Sequence, residues 1–513
     1  MEHGIHPVIV VFPVSWDLRR GFWGTLLSSV VRMLESVGEI QGFHVFDLSG
    51  LPLEKEDFLS MDTLGKDGAA LVGNFLNFRL RREGILPRES LCSLNYQQIA
   101  DLFRLLGKDE YNAALEQVFR ESVWGLRGKK KLRIGFVLYD SSMWCGDGLY
   151  HLFAEDARYE PTVFLCLRKD ERSVLLEREF ERGLELFRSR GLNVVGVDSH
   201  NADVPLQDVY IYLTPYFLHL PRPFRRAAIP ASSLMVYIPY TVRVDPHGLK
   251  WDINRVAWKF FFQRPEDIDE FANECASGMT RGYCSGHPKL DIFFQKGNRM
   301  EFRWKMSQPD AVKIIYAPHW SIQGFKNVRY STFQHNYKFM YEYAREHPET
   351  SWVVKPHPQL IYSAVSTGLF SSVEDFDAYL KAWDDLPNAM VSTGGGYQEI
   401  FATSDGMIND SCSFLAEYQY THKPMLYLTR DTQVHNDLGK ELVEAMYHVD
   451  GRDFEGIAHF IRHVLVEGQD DRREERRRVF DRHLNYPEKN GMLASEYIYR
   501  KISEELKNPK EIT

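Results

Sequence analysis

Met407-Ile408-Asn409-Asp410-Ser411-Cys412-Ser413-Phe414-Leu415-Ala416-Glu417-Tyr418, closed by Lys423-Pro424-Met425-Leu426-Tyr427-Leu428, is the stretch on which the reading of the fold turns. A short apolar strand runs into a small, hydroxyl-rich turn, the turn opens a helix, and a second apolar strand follows Lys-Pro. That order is half of a nucleotide-binding α/β unit. The first N–H groups of a helix lack intrahelical partners, and the helix dipole places partial positive charge there, so an anion is welcome. Asp410, Ser411 and Ser413 are N-cap residue types, and the small side chains at 411 to 413 let a diphosphate approach the backbone. Glu417 lies one helical turn after Ser413, where its carboxylate can accept from a ribose or polyol. An ordinary capped strand-to-helix junction is written in the same letters, so the turn needs support from elsewhere in the chain.

Outward from this stretch the chain alternates apolar strands with helical segments. Leu132 to Tyr139 has the length and flanks of a buried parallel strand, and further strands are expected at Pro161 to Leu167, Leu192 to Val197, Asp208 to Leu213 and Ser233 to Ile238. A helix is expected over Arg172 to Arg190. A second series begins at Val312 to Tyr316 and continues through Ser351 to Val354, Ala389 to Val391, Gly406 to Ile408 and Met425 to Leu428. This alternation predicts two doubly wound parallel sheets with a cleft at the carboxyl ends of their strands. The first 125 residues open on a strand-like Pro7 to Pro13 and read as mainly helical, and Arg472 to Leu506 reads as charged helices crossing back over the lobes.

Strand ends of the second series carry chemistry. Strand 312–316 runs into Ala317-Pro318-His319-Trp320-Ser321, and strand 351–354 into Lys355-Pro356-His357-Pro358. Two prolines hold His357 with little backbone freedom and Lys355 supplies a cation, an arrangement suited to a phosphate or a leaving group. His319 has the chemistry of a base, a phosphate donor or a loop cap. In the first series, Tyr240 follows a proline-fixed strand end, and Ser285 to Asp291 places His287, Lys289 and Asp291 near the expected lobe boundary, where a hinge or cap is the competing reading. Gly394-Gly395-Gly396 lacks the spacing of a phosphate-binding loop and reads as a turn before a helix, with Asp405 ending that helix.

Composition excludes several classes. With 513 residues, 44% hydrophobic and 13% aromatic, the chain is globular, and a net charge of −9 disfavours nucleic acid as a partner. The six cysteines lack Cys-x-x-Cys spacing and suit a reducing cytoplasm, and no apolar run is long enough for a membrane span. The basic run Arg127 to Lys131 leaves peripheral contact with the inner membrane face open, whereas Arg472 to Arg478 reads as a solvated helix face. No metal site is expected: His459 and His463 read as a helix face, and Asp267-x-Asp269 and Asp375-x-Asp377 as solvated first turns.

The ordered set Tyr316-Ala317-Pro318, Lys355-Pro356-His357-Pro358, Ser404-Asp405, Asn409-Asp410-Ser411-x-Ser413-Phe414 and Lys423-Pro424 resembles the CDP-glycerol glycerophosphotransferase family of teichoic-acid and capsule enzymes. Gly286 to Asp291 is similar to that family's Gly-x-Pro-Arg-x-Asp segment, and the likeness spans roughly residues 132 to 450. The resemblance implies a GT-B-like α/β architecture: an N-terminal accessory region at 1–130, an acceptor-side lobe at 131–300, a nucleotide-donor lobe at 301–470 and C-terminal helices at 471–513. It implies transfer of a glycerol or related polyol phosphate from a CDP-activated donor to a polysaccharide or lipid-linked acceptor, with no further cofactor. His357 and His319 are then the catalytic candidates, with Lys355, Asp410, Ser411, Ser413 and Glu417 on the donor, and Tyr240, His287 and Asp291 on the acceptor side or lobe boundary. The sequence departs from the family where Ile238-Pro239-Tyr240-Thr241 stands in place of His-Gly-Thr-Pro, which leaves the general base open between His319 and His287. Two other readings stand beside this one, a glycosyltransferase or epimerase using a nucleotide sugar and a non-catalytic carbohydrate-binding subunit.

Overall fold

A computed structural model describes residues 8–13, 29–36, 44–49, 51, 53, 57–58, 64–82, 91–168, 174–199, 202–246, 253–274, 281–295, 300–323, 328–393 and 396–507. Gly394 and Gly395 lie outside the described residues. A short parallel pair, β1 (Val8–Val11) and β2 (His44–Asp47), precedes the helices Lys66–Arg82, Tyr96–Leu105 and Lys108–Arg127. Asn95 and Gln98 close the second of these helices with a reciprocal capping box. Its first residue, Tyr96, donates its hydroxyl to the Ser233 carbonyl at 2.7 Å. Leu102, Phe119 and Leu126 then share one apolar core with the strands that follow.

Those strands are β3 (Leu132–Leu138), β4 (Tyr159–Cys166), β5 (Val194–Val197), β6 (Val209–Tyr212), β7 (Leu234–Tyr237), β8 (Lys259–Phe262) and β9 (Gly282–Cys284). They form an all-parallel sheet in the order β5-β4-β3-β6-β7-β8-β9. The second sheet contains β10 (Val312–Ala317), β11 (Thr350–Val354), β12 (Ala389–Val391), β13 (Gly406–Asn409), β14 (Met425–Thr429) and β15 (Tyr447–Asp450), ordered β12-β11-β10-β13-β14-β15. It too is wholly parallel. In each sheet the strand order reverses beside the founding strand, β3 or β10, and the chain leaves a crevice at the carboxyl ends there. The expected strands are present within a few residues, and the expected helix is Val174–Ser189. Strands β2, β8, β9 and β15 escape the sequence reading: β2 lies where helices were expected, β8 begins on a buried lysine, β9 has three residues, and β15 is partly exposed with a histidine and an aspartate.

Among the described residues, the C-terminal helices and a strap after β7 both tie the lobes. The C-terminal helices split between them: Val479 and Phe480 join the second core, while Ile498, Ile502 and Leu506 join the first. The other connection is the strap Thr241–Asp245 that follows β7. Val242 and Val244 are buried in the second lobe's core beside Leu415, Ala416 and Leu438, although the strand feeding them belongs to the first. Arg243 between them pairs with Asp267 at 2.9 Å and with Glu270, on the first-lobe helix Pro265–Glu274. Asp267 is therefore buried between Arg243 and Arg264, not solvated as its acidic surroundings suggest. Arg476 likewise departs from the solvated face read for 472 to 478: it is buried against Asp470. The helix Asp437–Ala445 receives the strap: the Asn436 N–H donates to the Val244 carbonyl at 2.9 Å and its side-chain amide to the Arg243 carbonyl at 3.1 Å.

Gly439 is required at that contact, because a Cβ there would stand 2.6 Å from the Val244 carbonyl oxygen and 2.8 Å from the His435 Cβ. Neither backbone can yield without moving the strap or the helix. Gly439→Ala is expected to lower the unfolding free energy by about 1–3 kcal/mol. Chemical denaturation checks this, and an unchanged midpoint contradicts the strap as a fixed joint.

Candidate functional site

Strand ends meet at the switch point of the second sheet. Beyond β11, the Lys355 N–H donates to the Tyr316 carbonyl at 2.8 Å and the His357 N–H to the Pro318 carbonyl at 3.1 Å, so the Lys-Pro-His-Pro segment lies along the Ala-Pro-His segment that leaves β10. This brings the rings of His319 and His357 to 5.2 Å between centroids, inclined at 62°. Each ring has its Nδ1 occupied by a donor. His319 Nδ1 meets the Ser321 hydroxyl at 2.8 Å and its N–H at 3.3 Å, while the Ser321 oxygen accepts the Tyr330 N–H at 2.8 Å. His357 Nδ1 accepts the Gln359 N–H at 3.1 Å.

Burial holds both imidazoles neutral. His357 is pushed down to about 3 by desolvation and then by the adjacent Lys355 cation, and His319 lies well below its ordinary value through burial and the neighbouring His357. A neutral ring whose Nδ1 accepts must carry its proton on Nε2. His319 and His357 therefore present paired Nε2–H donors, suited to phosphate oxygens and not to removing a proton.

Asp410 organises this edge from beneath. Its buried carboxylate accepts the His319 N–H at 2.6 Å, the Thr332 N–H at 2.5 Å and the Thr332 hydroxyl at 2.9 Å. The Asn336 amide donates to the same hydroxyl at 2.9 Å while its oxygen accepts Tyr316 Oη at 2.6 Å, which ties the network back to β10. Asp410 is thus a clamp on two loops and does not cap the following helix. Ser411 holds the cap position without a side-chain capping bond; its own N–H goes to Asn409 Oδ1 at 2.5 Å. The helix it opens, Cys412–Glu417, has six residues, which shortens the dipole that the sequence suggests. Ser413 lies in its first turn and hydrogen-bonds the Cys412 side chain.

Glu417 is buried and accepts from two elements, Tyr397 Oη of the second lobe and, at 3.1 Å, Thr241 Oγ1 of the strap. Above that tyrosine ring stand two lysines, Lys289 Nζ at 5.3 Å and Lys355 Nζ at 5.8 Å from the centroid. They come from opposite lobes. Lys355 falls to about 8 because it is buried and because Lys289 is near, so the pair is short of negative charge. Sequence reasoning missed Tyr397 and Thr241 and left Lys289 out of the site, although it sits inside the Ser285 to Asp291 segment. Nothing in the local letters reveals that its Nζ, anchored on the Ser142 carbonyl at 3.1 Å, crosses to Tyr397.

The other first-lobe candidates divide. Tyr240 belongs to a cluster at the first switch point, its hydroxyl bonded to that of Tyr216, with His219 edge-on to Tyr216 at 5.8 Å and to Tyr139 at 5.4 Å. His287 turns inward: Nδ1 accepts the Lys289 N–H at 3.3 Å, and Nε2 faces the Pro239 and Tyr240 carbonyls outside hydrogen-bonding geometry. Asp291 accepts the Ala494 and Ser495 N–H groups, both at 2.8 Å, and so fastens the C-terminal helix. Asp405, expected to end a helix, instead accepts the Lys313 N–H at 2.8 Å at the start of β10. Lys423 caps the helix Gln398–Thr403 through the carbonyls of Phe401, Ala402 and Ser404. Among the described residues no group of three or more His, Cys, Asp or Glu is placed to hold a metal, and no helix is long and apolar enough to cross a membrane.

The family model for CDP-glycerol:poly(glycerophosphate) glycerophosphotransferase matches residues 268–504, a span that takes in the clamp, both histidines and both lysines. Those residues carry the likeness to this family. Among solved structures, a variant of the wall teichoic acid polymerase TagF is similar to this chain at TM-score 0.50 and 13% identity, covering 86% of this chain and 99% of that one. A co-structure of S. aureus MnaA with UDP is similar at TM-score 0.46 and 11% identity, over 73% and 96%. The Neisseria meningitidis UDP-GlcNAc 2-epimerase bound to UDP-GlcNAc is similar at TM-score 0.45 and 12% identity, over 73% and 100%. No curated protein sequence matches. The fold is GT-B-like, built on two doubly wound parallel sheets.

Burial raises Asp410 to about 6, against its hydrogen bonds. A raised folded value means the unfolded chain ionises first, so stability is full below about pH 4 and declines as pH rises through about 6. Asp410→Asn lacks this titration and leaves one loop N–H facing an amide. The stability advantage of wild type over the variant is expected to shrink between pH 4 and 6.5 by at most roughly 3 kcal/mol, which paired denaturation curves at the two pH values measure.

Proposed function

We propose that this chain transfers glycerol phosphate, or a related polyol phosphate, from a cytidine diphosphate donor to a teichoic-acid-like or cell-surface polysaccharide acceptor. The observation that carries the reading is the convergence of two lysines from opposite lobes with two Nε2–H histidine donors at a topological switch point, inside a region of glycerophosphotransferase sequence. Four such groups match the charge of a diphosphate whose leaving half gains negative charge. In this reading Lys355, Lys289, His319 and His357 hold the diphosphate, the Ser411–Ser413 turn contributes backbone N–H groups, and Asp410 fixes the histidines' loops. An acceptor hydroxyl attacks the β-phosphorus in line and CMP departs, with positioning and electrostatics supplying most of the rate. Glu417, held by Tyr397 and Thr241, sets the spacing of the lobes and faces the donor's polyol. The first lobe's strand ends take the acceptor, at the inner face of the cell membrane.

His357→Ala is expected to reduce turnover at least about 100-fold while far-UV dichroism and thermal midpoint stay near wild type. A variant with near-normal turnover contradicts the role. A panel of CDP-glycerol, CDP-ribitol and UDP- or CMP-sugars reads the donor class. Free CMP from a CDP-polyol supports the proposal, and UDP or CMP release from a nucleotide sugar alone replaces it with a glycosyltransferase or epimerase.

A further inference from the structure

Strands β6 and β7 are joined by a loop of three short 3₁₀ turns, Phe217–His219, Arg222–Phe224 and Arg226–Ala228. Its underside is rooted in the first core. Phe217, Leu220, Phe224 and Ile229 are buried there, Phe224 packs on Phe164 at 5.1 Å between ring centroids, and the Phe224 carbonyl accepts the Tyr212 hydroxyl at 2.9 Å. The outer side is held as firmly: Arg225 donates from Nε to the Leu220 carbonyl at 2.8 Å and from Nη2 to the Leu218 carbonyl at 2.9 Å, while Pro215, Pro221 and Pro223 restrict the backbone. What this rigid support displays is Leu218, whose side chain is 79% exposed. Arg222, Ala227 and Ala228 of the same loop are exposed as well. The face is therefore apolar and cationic together, since carbonyls leave the Arg225 charge uncancelled and residues 209 to 244 contain no Asp or Glu.

The basic run Arg127 to Lys131, open in sequence to a membrane contact, is built differently. Lys129 pairs with Asp208 at 2.6 Å, Lys131 pairs with Glu160 at 2.7 Å, and Arg127 Nε donates to the Glu505 carbonyl at 2.7 Å. That run also enters β3 at the amino edge of the sheet, whereas the β6–β7 loop leaves the carboxyl edge, where its Tyr216 bonds Tyr240 and its His219 meets Tyr139. With a net charge of −9 the chain as a whole is repelled by an anionic surface, so attachment to one needs a local cationic and apolar spot. We propose that the β6–β7 loop docks on an anionic lipid surface, with Leu218 entering the boundary between headgroups and acyl chains and Arg222 and Arg225 meeting the phosphate headgroups. Docked this way, the carboxyl edge of the first lobe faces the membrane, where a lipid-linked acceptor enters the cleft. That orientation rests on the acceptor reading above, and the docking itself does not.

The test sediments the full chain with mixed phosphatidylglycerol–phosphatidylcholine vesicles and with phosphatidylcholine vesicles alone, and follows CDP binding by calorimetry in parallel. Wild type is expected to bind the anionic vesicles and to be released at high salt. Leu218→Ser and Arg222→Ala are each expected to weaken vesicle binding about fivefold with thermal midpoint and CDP binding kept, whereas Lys130→Ala, in the other basic run, changes it by less than about twofold. A Leu218→Ser/Arg222→Ala double variant that binds anionic vesicles within about twofold of wild type overturns the proposal. So do equal binding to neutral vesicles and a loss of binding confined to Lys130→Ala. A wild-type chain that sediments with anionic vesicles but does not bind CDP removes the donor reading alone, and one that binds CDP but stays in solution removes this inference alone.

Discussion

A carboxylate taken out of water costs several kcal/mol unless fixed donors replace its hydration, and Asp410 meets that demand with three of them. The donors belong to the loops that leave β10 and enter the helix Phe333–Glu346, so satisfying the charge and shaping the site are one event. Once the His319 N–H is held, its ring is oriented through Ser321 and Tyr330, and its partner His357 is aligned by backbone bonds from the neighbouring strand. Removing Asp410 leaves buried N–H groups with no acceptor, which is why the loops and the clamp stand or fall together.

The second dependence is between lobes. Two-lobed enzymes commonly hinge, yet here Val242 and Val244 from one lobe are core residues of the other, and Arg243 between them is paired back to its own lobe. A strap anchored on both sides limits the relative motion near the cleft. It also fixes Glu417, whose two hydroxyl partners come from the strap and from the second lobe. The spacing of the cleft is thereby set before any ligand arrives, which suits preorganised charge stabilisation.

Much of this was legible in the letters. Near-continuous apolar runs such as Leu132 to Leu138 announce buried parallel strands, and polar residues grouped at strand ends mark the carboxyl edge on which His319, Lys355, His357 and Asp410 sit. Roles were harder to read than places. Asp410 and Ser411 have capping chemistry in sequence, but the carboxylate found better donors in loops 91 and 78 residues away. Lys289 and Tyr397 gain meaning only when the lobes meet, because a cation–π geometry across a cleft leaves no local pattern. Lys259 hid the penultimate strand of the first sheet for a related reason: a lysine at the head of a strand reads as solvent-facing, yet here Glu505 and Tyr283 receive its ammonium group.

The proposed transfer requires the cleft to be a diphosphate site that breaks the bond between β-phosphorus and CMP. Phosphorus NMR of the chain incubated with CDP-glycerol and a poly(glycerol phosphate) oligomer observes that bond directly. Loss of the paired diphosphate resonances with matched growth of CMP and phosphodiester signals is the predicted result. Diphosphate resonances that persist unchanged, with the folded chain present at substrate-like concentration, would contradict it.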